Sequence, residues 1–149
     1  MYIDIPENVT LLGHSDIFPR QPIPLYQDFV PAGFPSPAQD YVERALDLNE
    51  LLVKRPAATY FVRAQGDSMI DAGIFPGDIL VVDRSLEARH GDVVIACLNG
   101  ELTVKRLETH PQSRLVPMNK AYSPVEIPDN ADLELFGVVT SVVHSLRQP

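Results

Sequence analysis

The chain has 149 residues, 45% of them hydrophobic and 21% charged, with a formal net charge of −8 at pH 7. That length suits one domain with a real core, and the acidity argues against non-specific binding to nucleic acid, which rests on lysine and arginine neutralising phosphates. Cys97 is the sole cysteine, so no intrachain disulfide can form and a reducing, cytoplasmic setting is expected. Residues 1–10 lack the basic and apolar regions of a signal peptide, and no apolar stretch is long enough to cross a bilayer.

Half of the 14 prolines lie at Pro6, Pro19, Pro22, Pro24, Pro31, Pro35 and Pro37. Proline fixes φ and removes a backbone donor, so residues 1 to about 35 read as an extended arm. Its apolar residues, among them Ile3, Ile5, Val9, Leu11, Leu12, Ile23 and Leu25, suit a segment that docks rather than a free linker. A helix is expected next. Ser36 is a good N-cap, Pro37 suits the first helical position, and Gln39 completes a capping box. Tyr41, Ala45, Leu48 and Leu52 then recur at helical spacing, joined by Val42 and Leu51, until Lys54-Arg55-Pro56 ends the run.

Beyond it the pattern is β. Residues 59–63 are rich in strand formers, and residues 79–82 form a short buried-type strand entered through the turn Pro76-Gly77-Asp78. Residues 92–98 and 101–108 flank Asn99-Gly100, a strong hairpin signal, and residues 133–143 supply a final apolar strand or pair. The fold class is mainly β, with one N-terminal helix and a long arm.

A two-residue loop at Asn99-Gly100 sets the hairpin register: Leu98 faces Glu101, Ala96 faces Thr103 and Val94 faces Lys105. Directly opposed residues project from one face, so Lys105 stands among Val94, Ala96 and Thr103. An ammonium there is poorly solvated, which depresses its pKa, and a neutral amine can take a proton from a serine hydroxyl. The ordinary alternative is an edge-strand lysine whose stem covers apolar surface.

Ser68 stands in Gln65-Gly66-Asp67-Ser68-Met69, where glycine permits a tight turn after a strand. Backbone N–H groups at such a bend can face a developing oxyanion, although Gly-Asp-Ser also makes routine turns and caps. A Ser-His-Asp triad through His90 or His110 ranks below a Ser-Lys pair. His90-Gly91-Asp92 reads as the turn opening the hairpin, and His110-Pro111 follows a strand end. Asp67, Asp71, Asp78 and Asp83 sit where aspartate commonly bonds to backbone. The four histidines lack zinc-ligand spacing, Cys97 reads as core, and no glycine-rich phosphate loop is present. No metal and no cofactor are expected.

Several ordered motifs carry a resemblance over about residue 25 to the C-terminus: Phe34-Pro35-Ser36-Pro37-Ala38, Asp40-Tyr41-Val42-Glu43, Gly66-Asp67-Ser68-Met69-Ile70-Asp71, Gly77-Asp78, His90-Gly91-Asp92, Thr103-Val104-Lys105, Val116-Pro117-Met118-Asn119 and Tyr122-Ser123-Pro124. Together they resemble the LexA/UmuD (S24) family of self-cleaving serine peptidases. The resemblance implies Ser68 as nucleophile, Lys105 as general base and Ala32-Gly33 as the scissile bond, with the N–H groups of Ser68 and Asp67 holding the oxyanion. It divides the chain into an arm, residues 1–32, removed by self-cleavage, and a catalytic and dimerisation domain, residues 33–149. Alanine before the scissile glycine follows LexA-type sites, whereas the best-known UmuD has cysteine.

The resemblance also implies partners: a second copy in a homodimer, a RecA filament on single-stranded DNA that stimulates the cut, and a UmuC-like Y-family translesion DNA polymerase that the processed dimer serves in SOS mutagenesis. No membrane and no sequence-specific DNA contact are expected. A LexA-type repressor would carry a helix-turn-helix before the cleavage site, and the proline-rich arm lacks helical periodicity. A type I signal peptidase would need a membrane anchor. A non-cleaving interaction module is the remaining alternative.

Overall fold

A computed structural model describes residues 9–14, 42–128 and 133–147, together with the strand at 23–26; for 23–26 and 42–46 it describes the backbone. The elements in chain order are β1 (Val9–His14), β2 (Ile23–Tyr26), β3 (Val42–Leu46), α1 (Leu48–Leu52), β4 (Thr59–Ala64), β5 (Ile79–Asp83), β6 (Val93–Leu98), β7 (Glu101–Glu108), β8 (Arg114–Val116), β9 (Val125–Glu126) and β10 (Leu133–Val143). Eight strands form one sheet in the order β1-β4-β5-β10-β6-β7-β8-β9, and β2 pairs with β3 in a separate ribbon. All the pairings are antiparallel.

The mainly β architecture expected from the sequence is present. The Asn99-Gly100 turn has φ of 52° and 87° at its two residues, the left-handed pair a type I′ hairpin turn requires. Its strands pair in the expected register, with Val94 opposite Lys105, Ala96 opposite Thr103 and Leu98 opposite Glu101. Residues 133–143 form one long strand rather than a pair. β10 serves two neighbours, β6 with its first half and β5 with its second, and bends at irregularities between Leu135 and Gly137 and between Val139 and Ser141. Such bulges increase local twist, and the sheet curls until β1, at one edge, comes against β7.

Two apolar clusters result. One joins Val9, Val62, Ala64, Met69, Ile74, Leu80, Val82, Ile95 and Val104; the other joins Val94, Ala96, Leu98, Leu107, Leu115 and Val138. Consecutive residues such as Val94 and Ile95 belong to different clusters, as the two-residue alternation of a strand dictates. Cys97, read as core from the sequence, is only partly buried: it shares a face of β6 with the buried Ile95 but lies further along the strand, opposite the partly buried Leu102.

The N-terminal helix differs from expectation. Residues 42–46 are a strand, paired from Ile23 opposite Leu46 to Tyr26 opposite Val42, and the helix is confined to Leu48–Leu52. Strand pairing with β2 supplies hydrogen-bond partners for the backbone of 42–46, so tertiary context overrides a pattern compatible with helix. The N-cap is Asp47, whose buried carboxylate accepts from the Asn49 N–H at 2.9 Å. Leu48 and Leu51 are exposed, so this one turn does not face the core as its periodicity suggested. Ser36, Pro37, Gln39 and Tyr41 lie outside the described residues, as do Ala32 and Gly33. The arm's docking is visible at β1, which pairs with β4 from Val9 opposite Ala64 to His14 opposite Tyr60.

Candidate active site

Ser68 lies in the bend that leaves β4. Gly66, at φ +74°, takes the left-handed conformation that turns the chain, and one 3-10 turn, Ile70–Ala72, follows. Met69 is a core residue and pins the bend to the sheet. Lys105 lies mid-strand on β7, and its ammonium donates to Ser68 Oγ at 3.2 Å, to Thr103 Oγ1 at 3.0 Å and to the Val104 carbonyl at 3.1 Å. The structure thus brings Ser68 and Lys105, 37 positions apart, into direct contact.

Both groups are buried: Lys105 is 7% exposed and Ser68 9%. Burial penalises the charged amine and lowers the Lys105 pKa from 10.5 to about 8. A neutral amine has two hydrogens and one lone pair. The Val104 carbonyl can only accept, and Thr103 Oγ1 provides a second acceptor, so the lone pair is left for the Ser68 hydroxyl. A serine and a partly neutral lysine in this arrangement can generate an alkoxide nucleophile without a histidine.

The turn carrying Ser68 is clamped from residues 118–122. Asn119 Nδ2 donates to the Asp67 carbonyl at 2.8 Å, the Tyr122 hydroxyl donates to the Asp67 carboxylate, and the Asp71 N–H donates to the Met118 carbonyl at 2.7 Å. Asp67 pushes the Tyr122 hydroxyl pKa up through that hydrogen bond. Asn119 Oδ1 in turn accepts from the Ala121 N–H at 3.0 Å, which shapes the clamp itself. Neither Asn119 nor Tyr122 stands out in the sequence as a site residue; a polar residue in each of two motifs beyond the strands is the available signal.

The other sequence candidates have different tasks. His90 and His110 stack on one another with ring centres 3.8 Å apart, and the Thr109 N–H donates to His90 Nδ1 at 3.0 Å. The Asp78 carboxylate caps the Phe75 N–H and meets the His144 ring. Asp83 accepts from the Ser85 N–H and from Arg55, both at 2.8 Å. Among the described residues no helix is long and apolar enough to cross a membrane.

Residues 24–140 match the Peptidase S24-like family. The chain is 52% identical over 124 residues to Protein SamA of Salmonella typhimurium, an alignment covering 83% of this chain and 86% of the relative. It is 53% identical over 125 residues to Protein MucA of Escherichia coli, covering 83% and 84%. It is also 39% identical over 130 residues to the LexA repressor of Alcanivorax borkumensis, covering 86% of this chain and 62% of that protein. With a peptidase profile matched over most of its length and a serine held against a buried lysine, the chain belongs to the S24-like peptidase family, among its UmuD-like members.

Proposed function

We propose that the protein is a self-cleaving serine peptidase of SOS mutagenesis that cuts its own Ala32-Gly33 bond. The observation that carries this reading is the 3.2 Å contact between Ser68 Oγ and Lys105 Nζ. Neutral Lys105 takes the Ser68 proton as Oγ attacks the Ala32 carbonyl carbon, and the N–H groups of Ser68 and Asp67 stabilise the oxyanion. Collapse expels the Gly33 amine, which takes a proton from the Lys105 ammonium. Water activated by the regenerated amine then hydrolyses the acyl-enzyme on Ser68. Small Ala32 suits a narrow site, and Gly33 lets the backbone approach closely.

Ala32-Gly33 falls in sequence between β2 and β3, so the cut separates two paired strands. A RecA filament on single-stranded DNA stimulates it by favouring the docked, cleavable arrangement of the arm. The product, residues 33–149, acts as a homodimer and as accessory subunit of a Y-family translesion polymerase. Both steps are supported by family membership and by the likeness to MucA and SamA.

Purified protein held at alkaline pH splits between Ala32 and Gly33 by intact mass, and Ser68→Ala or Lys105→Ala stops the cut. A mass that stays whole after prolonged incubation, both at alkaline pH and with activated RecA, overturns the reading.

A further inference from the structure

β1 lies upstream of the proposed cut and is the terminal strand of the main sheet, seated on β4. Val9 is 0% exposed and belongs to the same cluster as Met69, beside Ser68, and Val104, beside Lys105. The remaining attachments lie at the surface: Gln65 Nε2 donates to Thr10 Oγ1 at 2.7 Å, His14 Nε2 donates to the Ala57 carbonyl at 2.7 Å, and the His14 and Tyr60 rings are 4.7 Å apart. Leu11 and Leu12 are exposed. β1 is therefore held by its ladder to β4, by one core side chain, Val9, which meets the cluster that includes Val104 of β7, and by these surface contacts.

The two strands differ as sheet edges. β1 is bulged between Leu11 and Gly13, a form that discourages further pairing. β4 pairs with β5 through unbroken register, from Thr59 opposite Asp83 to Arg63 opposite Ile79. Without β1 it would present a regular, unpaired ladder beside an empty apolar slot. Such an edge is a template for strand addition.

We infer that β1 is a tethered cap on a strand-docking site along β4, and that the site accepts an extended, uncharged segment of another protein once the cap is freed. The occupant carries a β-branched apolar residue for the Val9 slot and a small polar residue where Thr10 meets Gln65. β1 supplies the template: Val9-Thr10-Leu11-Leu12-Gly13 has no charge, and the acidic chain disfavours an acidic strand. While the chain is whole, the tether gives β1 a high effective concentration at β4. Release by the cut rests on the proposed cleavage, which makes the pairing intermolecular and open to competition; the capping itself does not.

The test uses full-length chain carrying Ser68→Ala, so that self-cleavage does not intervene. The probe is a fluorescent peptide of residues 8–15, followed by anisotropy. Thr10→Pro with Leu11→Pro undocks β1: consecutive strand N–H groups point to opposite sides, so one lost donor faces β4. The probe binds this variant about tenfold or more tightly than the parent, because a masked site binds in proportion to its open fraction. A probe carrying Val9→Asp does not bind. Val9→Ala in the protein, a milder loosening of the cap, gives intermediate affinity.

Equal binding to parent and variants overturns the capping, and no binding to either variant overturns the docking site. Light scattering that shows the undocked chain pairing with itself, with the probe excluded, assigns the edge to a second copy and overturns the partner strand. Cleavage is read separately, by the mass of wild-type protein, so its failure leaves these outcomes distinct.

Discussion

The Thr103 hydroxyl oxygen lies 3.0 Å from Lys105 Nζ, two residues away on the same face of β7. This acceptor favours the charged amine, and burial opposes it, with burial winning to hold the pKa at about 8. Self-cleavage in the wild type rises about tenfold per pH unit below that pKa and levels off above it. Thr103→Val keeps the shape and removes the acceptor, so the bend in its pH–rate profile moves to lower pH. Timed gel densitometry across a pH series checks this, and superimposable profiles would show that Thr103 does not tune the lysine.

The same lysine makes stability depend on pH. Its pKa falls from 10.5 to about 8 on folding. Below about pH 8 both states are protonated and the folded state carries the whole cost of burying an ammonium; from there to 10.5 the unfolded state binds more protons, so stability rises with pH. Lys105→Met removes the cost of the buried charge, on the order of 3 kcal/mol at pH 7, and forfeits the bonds to Thr103 and Val104, so its net gain in unfolding free energy is smaller than that. The advantage shrinks as pH rises towards 10.5. Urea unfolding at several pH values reads both effects, and the stabilised variant does not cut itself.

Asn119 ties the Ser68 turn to its clamp with one side chain, donating to the Asp67 carbonyl and accepting from the Ala121 N–H. Asn119→Ala lowers stability by about 1–2 kcal/mol and slows cleavage more than that loss alone explains, since Ser68 follows Asp67 directly. Tyr122→Phe removes a single bond to the Asp67 carboxylate and has the smaller effect. Cleavage rates at a temperature where all variants are folded separate positioning from stability; unchanged rates would assign both residues to structure alone.

Gly137 stands at the first irregularity of β10, where a Cβ would come within 2.6 Å of Val82 Cγ1 and 3.1 Å of the Asp83 carbonyl. Gly137→Ala forces the strands apart and destabilises the fold by about 1–3 kcal/mol. Thermal denaturation measures the change, and an unshifted midpoint would mean that β10 can yield at this bulge.

The surroundings of Lys105 were legible before any tertiary structure because Asn99-Gly100 dictates the hairpin register, and register assigns opposed residues to one face. The helix was less legible. Tyr41, Ala45, Leu48 and Leu52 satisfy a helical period, but at 42–46 the decisive term is pairing with β2, a strand distant in sequence. Periodicity carries no information about such a partner. The cap of the described helix is Asp47, whose buried carboxylate meets the Asn49 N–H, while Ser36 lies outside the described residues.

By itself the sequence determined the mainly β class, the hairpin, the apolar setting of Lys105 and the glycine bend before Ser68, because each depends on neighbours a few residues away. Only the tertiary structure decided that Ser68 meets Lys105 and that β1 closes the sheet edge at β4. Those contacts depend on the curl of an eight-stranded sheet, which sums bulges and twist over strands far apart in the chain.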